Sequence, residues 1–186
     1  MKKKIWLIFL LPLFLYSSST DPGKLVEQRL QNIEKQSHRK IKIFSRSEVF
    51  SQKDLNSYLE YRIKNTTKSA SLEIKDARVK IGKDRFVLSL VAVANEPLPF
   101  IDMEVMSLKV LPIGMQFSIE QKSGKYRLKI HDFRIGKAVP SERLALLILS
   151  RLKASTGFNF DVKTWEKFPF GIKKITQKEG EVKVYY

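Results

Sequence analysis

The side chains best suited to acid–base or metal chemistry are few and far apart. His38 and His131 are the chain's two histidines, and neither has a second histidine at metal-ligand spacing. Asp132 follows His131, but neighbours along a strand point to opposite faces and cannot act as a dyad. Asp54 and Glu60 are the nearest approach to a carboxylate pair, and Asp54 is better explained as a helix-capping residue. No HExxH or GxSxG sequence occurs, and the eight glycines are too scattered to form a phosphate-cradling loop. The absence of Cys excludes a disulfide framework, a Cys-ligated zinc site, a thiol nucleophile and a lipid-modified cysteine. These residues predict no catalytic centre, no bound metal and no cofactor. Asn65-Thr66-Thr67 matches a glycosylation sequon, which matters only on a eukaryotic secretory route.

The first 20 residues read as an address. Lys2, Lys3 and Lys4 precede the uncharged run Ile5 to Tyr16, and Ser17 to Thr20 supply small residues for cleavage. That run is short of the roughly 20 residues that span a bilayer. The layout predicts a signal peptide over residues 1–20, export to the periplasm, the cell envelope or the exterior, and one α+β domain over 21–186. An uncleaved N-terminal anchor is the alternative. The chain has 35 Lys and Arg against 19 Asp and Glu, a net charge of +16. Loss of the three leader lysines would leave about +13. Outside the cytoplasm such a charge draws a protein to anionic membrane surfaces. Nucleic acid is not the expected partner, because no basic reading helix or aromatic-and-basic strand is present.

The chain is 186 residues long and 43% apolar, enough for a packed core. Val26, Leu30 and Ile33 predict a helix over 24–36, set at the domain's periphery. Ile41 and Ile43 suggest a short strand. Ser51 and Asp54 form a capping box at the start of a helix over 51–64, with Phe50 placed to staple onto Leu55. Leu55, Tyr58, Leu59 and Ile63 make its apolar stripe. Strands follow at Leu72–Ile81, broken near Asp76-Ala77, and at Phe86–Ala94. Extended structure resumes at Met103, Val105 and Leu108 and runs through Ile119, with a bulge or bend expected at Pro112 and Gly114. A turn at Ser123-Gly124 returns the chain through Tyr126, Leu128 and Ile130. Leu144, Leu147, Ile148 and Leu152 mark one face of a deeply buried helix, with Gly157 as its C-terminal stop. Phe158, Phe160, Trp165, Phe168 and Phe170 make an aromatic connector to a last hairpin turning at Glu179-Gly180. The expected fold is α+β: a curved antiparallel sheet of about six to seven strands packed on two or three helices.

Three stretches resemble a known pattern. Phe50-Ser51-Gln52-Lys53-Asp54-Leu55-Asn56-Ser57-Tyr58-Leu59 looks like the S-x-x-[DE]-L-N-x-Y-L opening of uncharacterised bacterial exported proteins. Ile135-Gly136-Lys137-Ala138-Val139-Pro140 looks like their lead into an apolar helix, and Phe168-Pro169-Phe170-Gly171-Ile172 like their closing segment. Such proteins are similar in layout to one half of a tubular lipid-binding (TULIP) module, a curved antiparallel sheet wrapped on a long helix. The resemblance implies a groove for acyl chains and no enzymatic role, and it carries over no individual site residue. At this length the chain is smaller than a full module, so a groove sized for a whole lipid would need two copies.

The strand Phe86–Ala94 is apolar on both faces, whereas an antiparallel strand commonly turns one face to water. Phe86, Leu88, Leu90, Val91 and Val93, with Met103, Val105, Met115 and Phe117, are therefore the candidate lining of a groove for a lipid or other amphiphile. The alternative is an envelope scaffold whose second apolar face meets a partner protein or forms a homodimer. A third possibility is that both faces are simply core.

Overall fold

A computed structural model describes residues 21–38, 46–65, 72–94, 110–156 and 164–186. The leader, the Ile41–Ile43 segment, Thr66, Thr67, Met103, Val105, Leu108, Gly157, Phe158 and Phe160 lie outside the described residues.

The described fold is α+β, with three helices and two antiparallel sheets. Helix α1 spans Pro22–Ser37, β1 Ser47–Ser51, α2 Gln52–Asn65, β2 Leu72–Ile81 and β3 Phe86–Ala94. Strand β4 spans Val110–Lys122, β5 Lys125–Ile135, α3 Glu142–Thr156, β6 Glu166–Lys167, β7 Lys174–Lys178 and β8 Glu181–Tyr185. Strands β2-β3-β4-β5-β6 form a curled half-barrel, and β1-β8-β7 form a separate small sheet. The single sheet of six to seven strands is thus corrected to two sheets with eight strands among the described residues. The reason is long-range pairing: β8 takes β1 as its second neighbour, with Ser47 opposite Tyr185 and Ser51 opposite Glu181, and does not extend the larger sheet.

Local chemistry sets the helix starts. Asp21 caps α1 by accepting from the Gly23 amide at 2.8 Å, and Pro22 takes the first turn, where a missing N–H costs nothing. Ser51 and Asp54 close a reciprocal cap on α2. The Ser51 amide donates to Asp54 Oδ2 at 2.9 Å, and the Asp54 amide donates to Ser51 Oγ at 3.1 Å. Phe50 and Leu55 then share one core cluster. Helix α1 is no appendage, because Val26 and Ile33 are fully buried with Phe50 and Tyr58. Its Arg29 joins three elements. It pairs with Glu48 of β1, donates to the Val49 carbonyl at 2.7 Å, lies 3.4 Å from Asp54 and rests 4.3 Å from the centre of the Phe50 ring.

The bulge expected at Pro112 and Gly114 falls elsewhere, whereas the break expected near Asp76-Ala77 corresponds to a bulge one residue earlier, at Lys75. Pro112 and Gly114 stay in register opposite Val91 and Ser89. The β4–β5 ladder slips at Gln116/Phe117, which leaves His131 as the extra residue of β5. The β2–β3 ladder slips at Ile74/Asp76, which leaves Lys75 as the extra residue of β2. The β4–β5 hairpin closes through Ser123 and Gly124, both at positive φ, the geometry whose twist suits a two-residue turn.

Side-chain amides join helix to sheet and sheet to sheet. Gln52 accepts from the Ile81 amide at 3.0 Å. Asn56, one turn on, bonds both backbone groups of Val79. Gln121 does the same for Ile175, at 2.7 Å in each direction.

Candidate functional site

Pairing register assigns every strand residue to a face. Ala77, Leu90, Ile113 and Ile135 are paired across four strands and lie on the concave face. The same face carries Leu88, Met115 and Phe133 in the next row. Helix α3 fills this trough. Ile148, Leu149 and Leu152 are buried against the sheet, with Leu144 and Ala145 packed beside them and Leu59 and Ile63 of α2 closing one side. A second cluster continues the core under α1 and the small sheet, where Phe86 and Phe117 stack with centroids 5.3 Å apart and planes 16° apart.

The nine groove candidates do not line one surface. Phe86, Leu88, Leu90, Met115 and Phe117 stand on the concave face within the core clusters, and Leu90 is only 6% exposed. Val91 and Val93 stand on the convex face with Val87, all half-buried. Val93 pairs with Val110, which is 49% exposed, so this row continues onto β4. Met103 and Val105 lie outside the described residues. Strand β3 is therefore apolar on both sides, although its convex valines are flanked by Asp76, Arg78 and Lys80 of β2, and β5 turns Arg127, Lys129, Asp132 and Arg134 to the same face. The described helices cover the concave face.

Helix α3 repeats that arrangement on a smaller scale. Its core side is Leu144, Ala145, Ile148, Leu149 and Leu152. Leu147, expected on that side, belongs with Leu146 instead. Both are half-buried, and among the described residues they belong to neither core cluster. A soluble helix ordinarily turns polar residues to that side. The signal was present in the unbroken run Leu144–Leu149, whose length exceeds what one buried face requires.

The polar groups do not converge. His131 Nε2 lies 2.9 Å from Ser118 Oγ on the convex face. The bulge places Asp132 on that same face and not the opposite one, but Asp132 accepts from Arg134 at 2.9 Å. The His131–Ser118 pair is exposed, and no carboxylate orients the other ring nitrogen among the described residues. His38 is exposed at the C-terminal end of α1. Among the described residues no three His, Asp or Glu side chains cluster as a metal site. No helix among them is long and apolar enough to cross a membrane.

Charge is arranged in local pairs. Partial burial pulls Asp54 up, but the Ser51 amide, the Ser51 hydroxyl and the Arg29 guanidinium outweigh it and hold the carboxyl below its ordinary value. Burial raises Tyr58, which lies under Arg62. On the outer face of the small sheet, Lys174 and Lys183 flank the Tyr185 ring at 5.9 and 5.2 Å, and neither lysine has an acidic partner among the described residues. Half-barrel, apolar helix and the lysine pair on the small sheet are thus the features available for recognition. The chain matches no family model, no curated protein and no solved structure.

Proposed function

We propose that this chain is an exported, non-catalytic module that takes up the acyl portion of a lipid or similar amphiphile along α3, at the open side of the half-barrel. The observation that carries the reading is the Leu146–Leu147 pair, apolar and outside both core clusters on a helix seated in a curved sheet. Covering such a surface with an acyl chain gains about 25 cal/mol per Å² of apolar area, before ordering costs. The excess of Lys and Arg favours amphiphiles and membrane surfaces that carry negative charge. The TULIP-like layout of the sequence motifs points the same way.

The test is extraction of the purified protein for co-purifying lipid by mass spectrometry, with uptake of a fluorescent fatty acid measured in parallel. Wild type should carry lipid, and the Leu146→Asn/Leu147→Asn variant should lose it while its circular dichroism and melting stay native-like. A wild-type protein that carries no lipid and takes up no fatty acid removes the reading.

The convex valines favour a second reading, a scaffold that uses this face for a partner or a second copy. Val91, Val93 and Val110 are contiguous across two strands, with Val87 beyond the exposed Ser89, and no described helix lies over them. Light scattering across a concentration series decides the dimer. A mass that rises with concentration and reverts to monomer in Val91→Asp supports it, and a strict monomer counts against it.

A further inference from the structure

Helix α2 runs antiparallel to the edge strand β2, and their repeats match. Four helical residues advance about 6 Å, and two strand residues about 6.8 Å. Gln52 therefore meets Ile81 and Asn56 meets Val79. The next members of the two rows are Glu60 and Ala77. The alternation of strand backbone turns the Ala77 N–H and C=O outward, as at Val79 and Ile81. Here the series stops. Glu60 is a carboxylate and cannot donate to a carbonyl, and it is engaged by Lys64 at 2.8 Å. Neither outward group of Ala77 has a hydrogen-bond partner among the described residues, and no strand other than β3 pairs with β2 there. A cleft of about 590 Å³ opens at this point between α2 and the 75–78 stretch of β2. The bulged residue Lys75 stands at its wall.

Unpaired backbone on a strand edge is a template for another strand, and proteins commonly cover it. The cover here extends from Ile81 to Val79 and ends one pair early. The cleft walls carry Lys53, Lys64, Lys75 and Arg78 against Glu60 and Asp76, with Lys64 paired to Glu60, Lys75 to Glu73 and Arg78 to Asp76. Lys53 makes no ion pair among the described residues. The excess is positive, in keeping with the whole chain.

We propose that this cleft binds an extended acidic peptide segment, which adds as a strand to β2 at Ala77 and sets a carboxylate on Lys53. Backbone pairing gives a requirement for an extended peptide, and charge selects an acidic one. This site is separate from the α3 surface, and lipid uptake neither requires it nor reports on it.

The test uses the full chain and a capped octapeptide of alternating Glu and Val, read by fluorescence anisotropy. Its fully N-methylated counterpart has the same charge but cannot donate backbone hydrogen bonds. A third peptide replaces Glu by Lys. The Glu peptide should bind, and both others should bind at least tenfold more weakly. Ala77→Pro should also lose at least tenfold, since it removes the outward amide while leaving the β3 ladder its bonds. If that variant fails to fold, the comparison among peptides on the wild-type protein still decides. Equal binding of the N-methylated and unmethylated Glu peptides, unchanged binding by folded Ala77→Pro, or no binding of the Glu peptide overturns the proposal.

Discussion

The Asn56 side chain holds both backbone groups of Val79, donating to the carbonyl at 3.1 Å and accepting from the amide at 2.7 Å. One amide side chain thereby stands in for a neighbouring strand and docks α2 on the sheet edge. Asn56→Ala should destabilise the domain by about 1–3 kcal/mol, because it leaves a part-buried donor and acceptor unmatched. Urea unfolding should show a lower midpoint with an unchanged slope. Asn32→Ala, on the exposed side of α1, should stay within about 0.5 kcal/mol of wild type.

The Ser51–Asp54 cap makes a prediction in pH. Asp54 titrates below its ordinary value of 3.8 in the folded chain, because the Ser51 bonds and Arg29 outweigh the opposing effect of partial burial. A carboxyl depressed on folding contributes stability that is fully present above its unfolded value and is lost as pH falls through the folded one. Stability should therefore decline with acid from near pH 3.8 downwards, in part through this residue. Asp54→Asn keeps an oxygen for the Ser51 amide but no titrating charge. Its melting temperature should start lower at neutral pH and fall less steeply over the acid limb than that of wild type. Parallel acid limbs would mean that Asp54 is not among the groups responsible.

That cap was legible because it is local: Ser51, Asp54 and Phe50 sit within five residues and signal one another directly. The strands Leu72–Ile81 and Phe86–Ala94 were legible for a similar reason, since a period of two is written into a short window. The division into two sheets was not, because β1 carries one buried residue, Phe50, and its partner β8 lies more than a hundred positions away. The bulge at His131 was hidden too, whereas the one at Lys75 adjoins the break that the pattern places near Asp76-Ala77. A bulge depends on how two strands pair, whereas Pro112 and Gly114 can be accommodated in a regular ladder. As for the candidate site, the alternation separating Leu90 from Val91 could be read from the chain. Which of the two faces the helices cover is decided by packing between distant segments. The Gln52–Asn56 spacing of four residues was a signal available in the sequence, since it sets two amides on one side of a helix.

The two faces of β3 should respond oppositely to charge. Leu90 packs in the trough with Ile148 and Leu152, whereas its neighbour Val91 is half-buried on the convex side. Leu90→Lys places an unpaired ammonium in the core and should cost about 4 kcal/mol or more, enough to abolish cooperative unfolding. Val91→Lys can direct its amine into solvent and should cost within about 1 kcal/mol. Thermal melts of the two variants check this, and equal losses would mean that the convex face is sealed as tightly as the concave one.

The α1–α2 contact depends on a missing side chain. A Cβ built on Gly23 would lie 2.2 Å from the Ser57 carbonyl oxygen and 2.3 Å from Tyr61 Cβ, distances that only backbone movement can relieve. Gly23→Ala should therefore push the helices apart and loosen the burial of Val26. The expected cost is about 1–3 kcal/mol, even though alanine is the better helix former by about 1 kcal/mol. Gly114 is the matched opposite. It lies in a regular strand on the convex face, its φ is negative, and nothing stands within 4 Å of the added carbon. Gly114→Ala should leave stability unchanged or raise it by about 0.4–1 kcal/mol, through the smaller entropy of the unfolded chain. Denaturant midpoints for the pair test whether close helix approach or general glycine flexibility governs the effect. If Gly23→Ala proves as benign as Gly114→Ala, α1 does not pack on α2 at the observed distance, and its contribution to the core is smaller than the burial of Val26 and Ile33 implies.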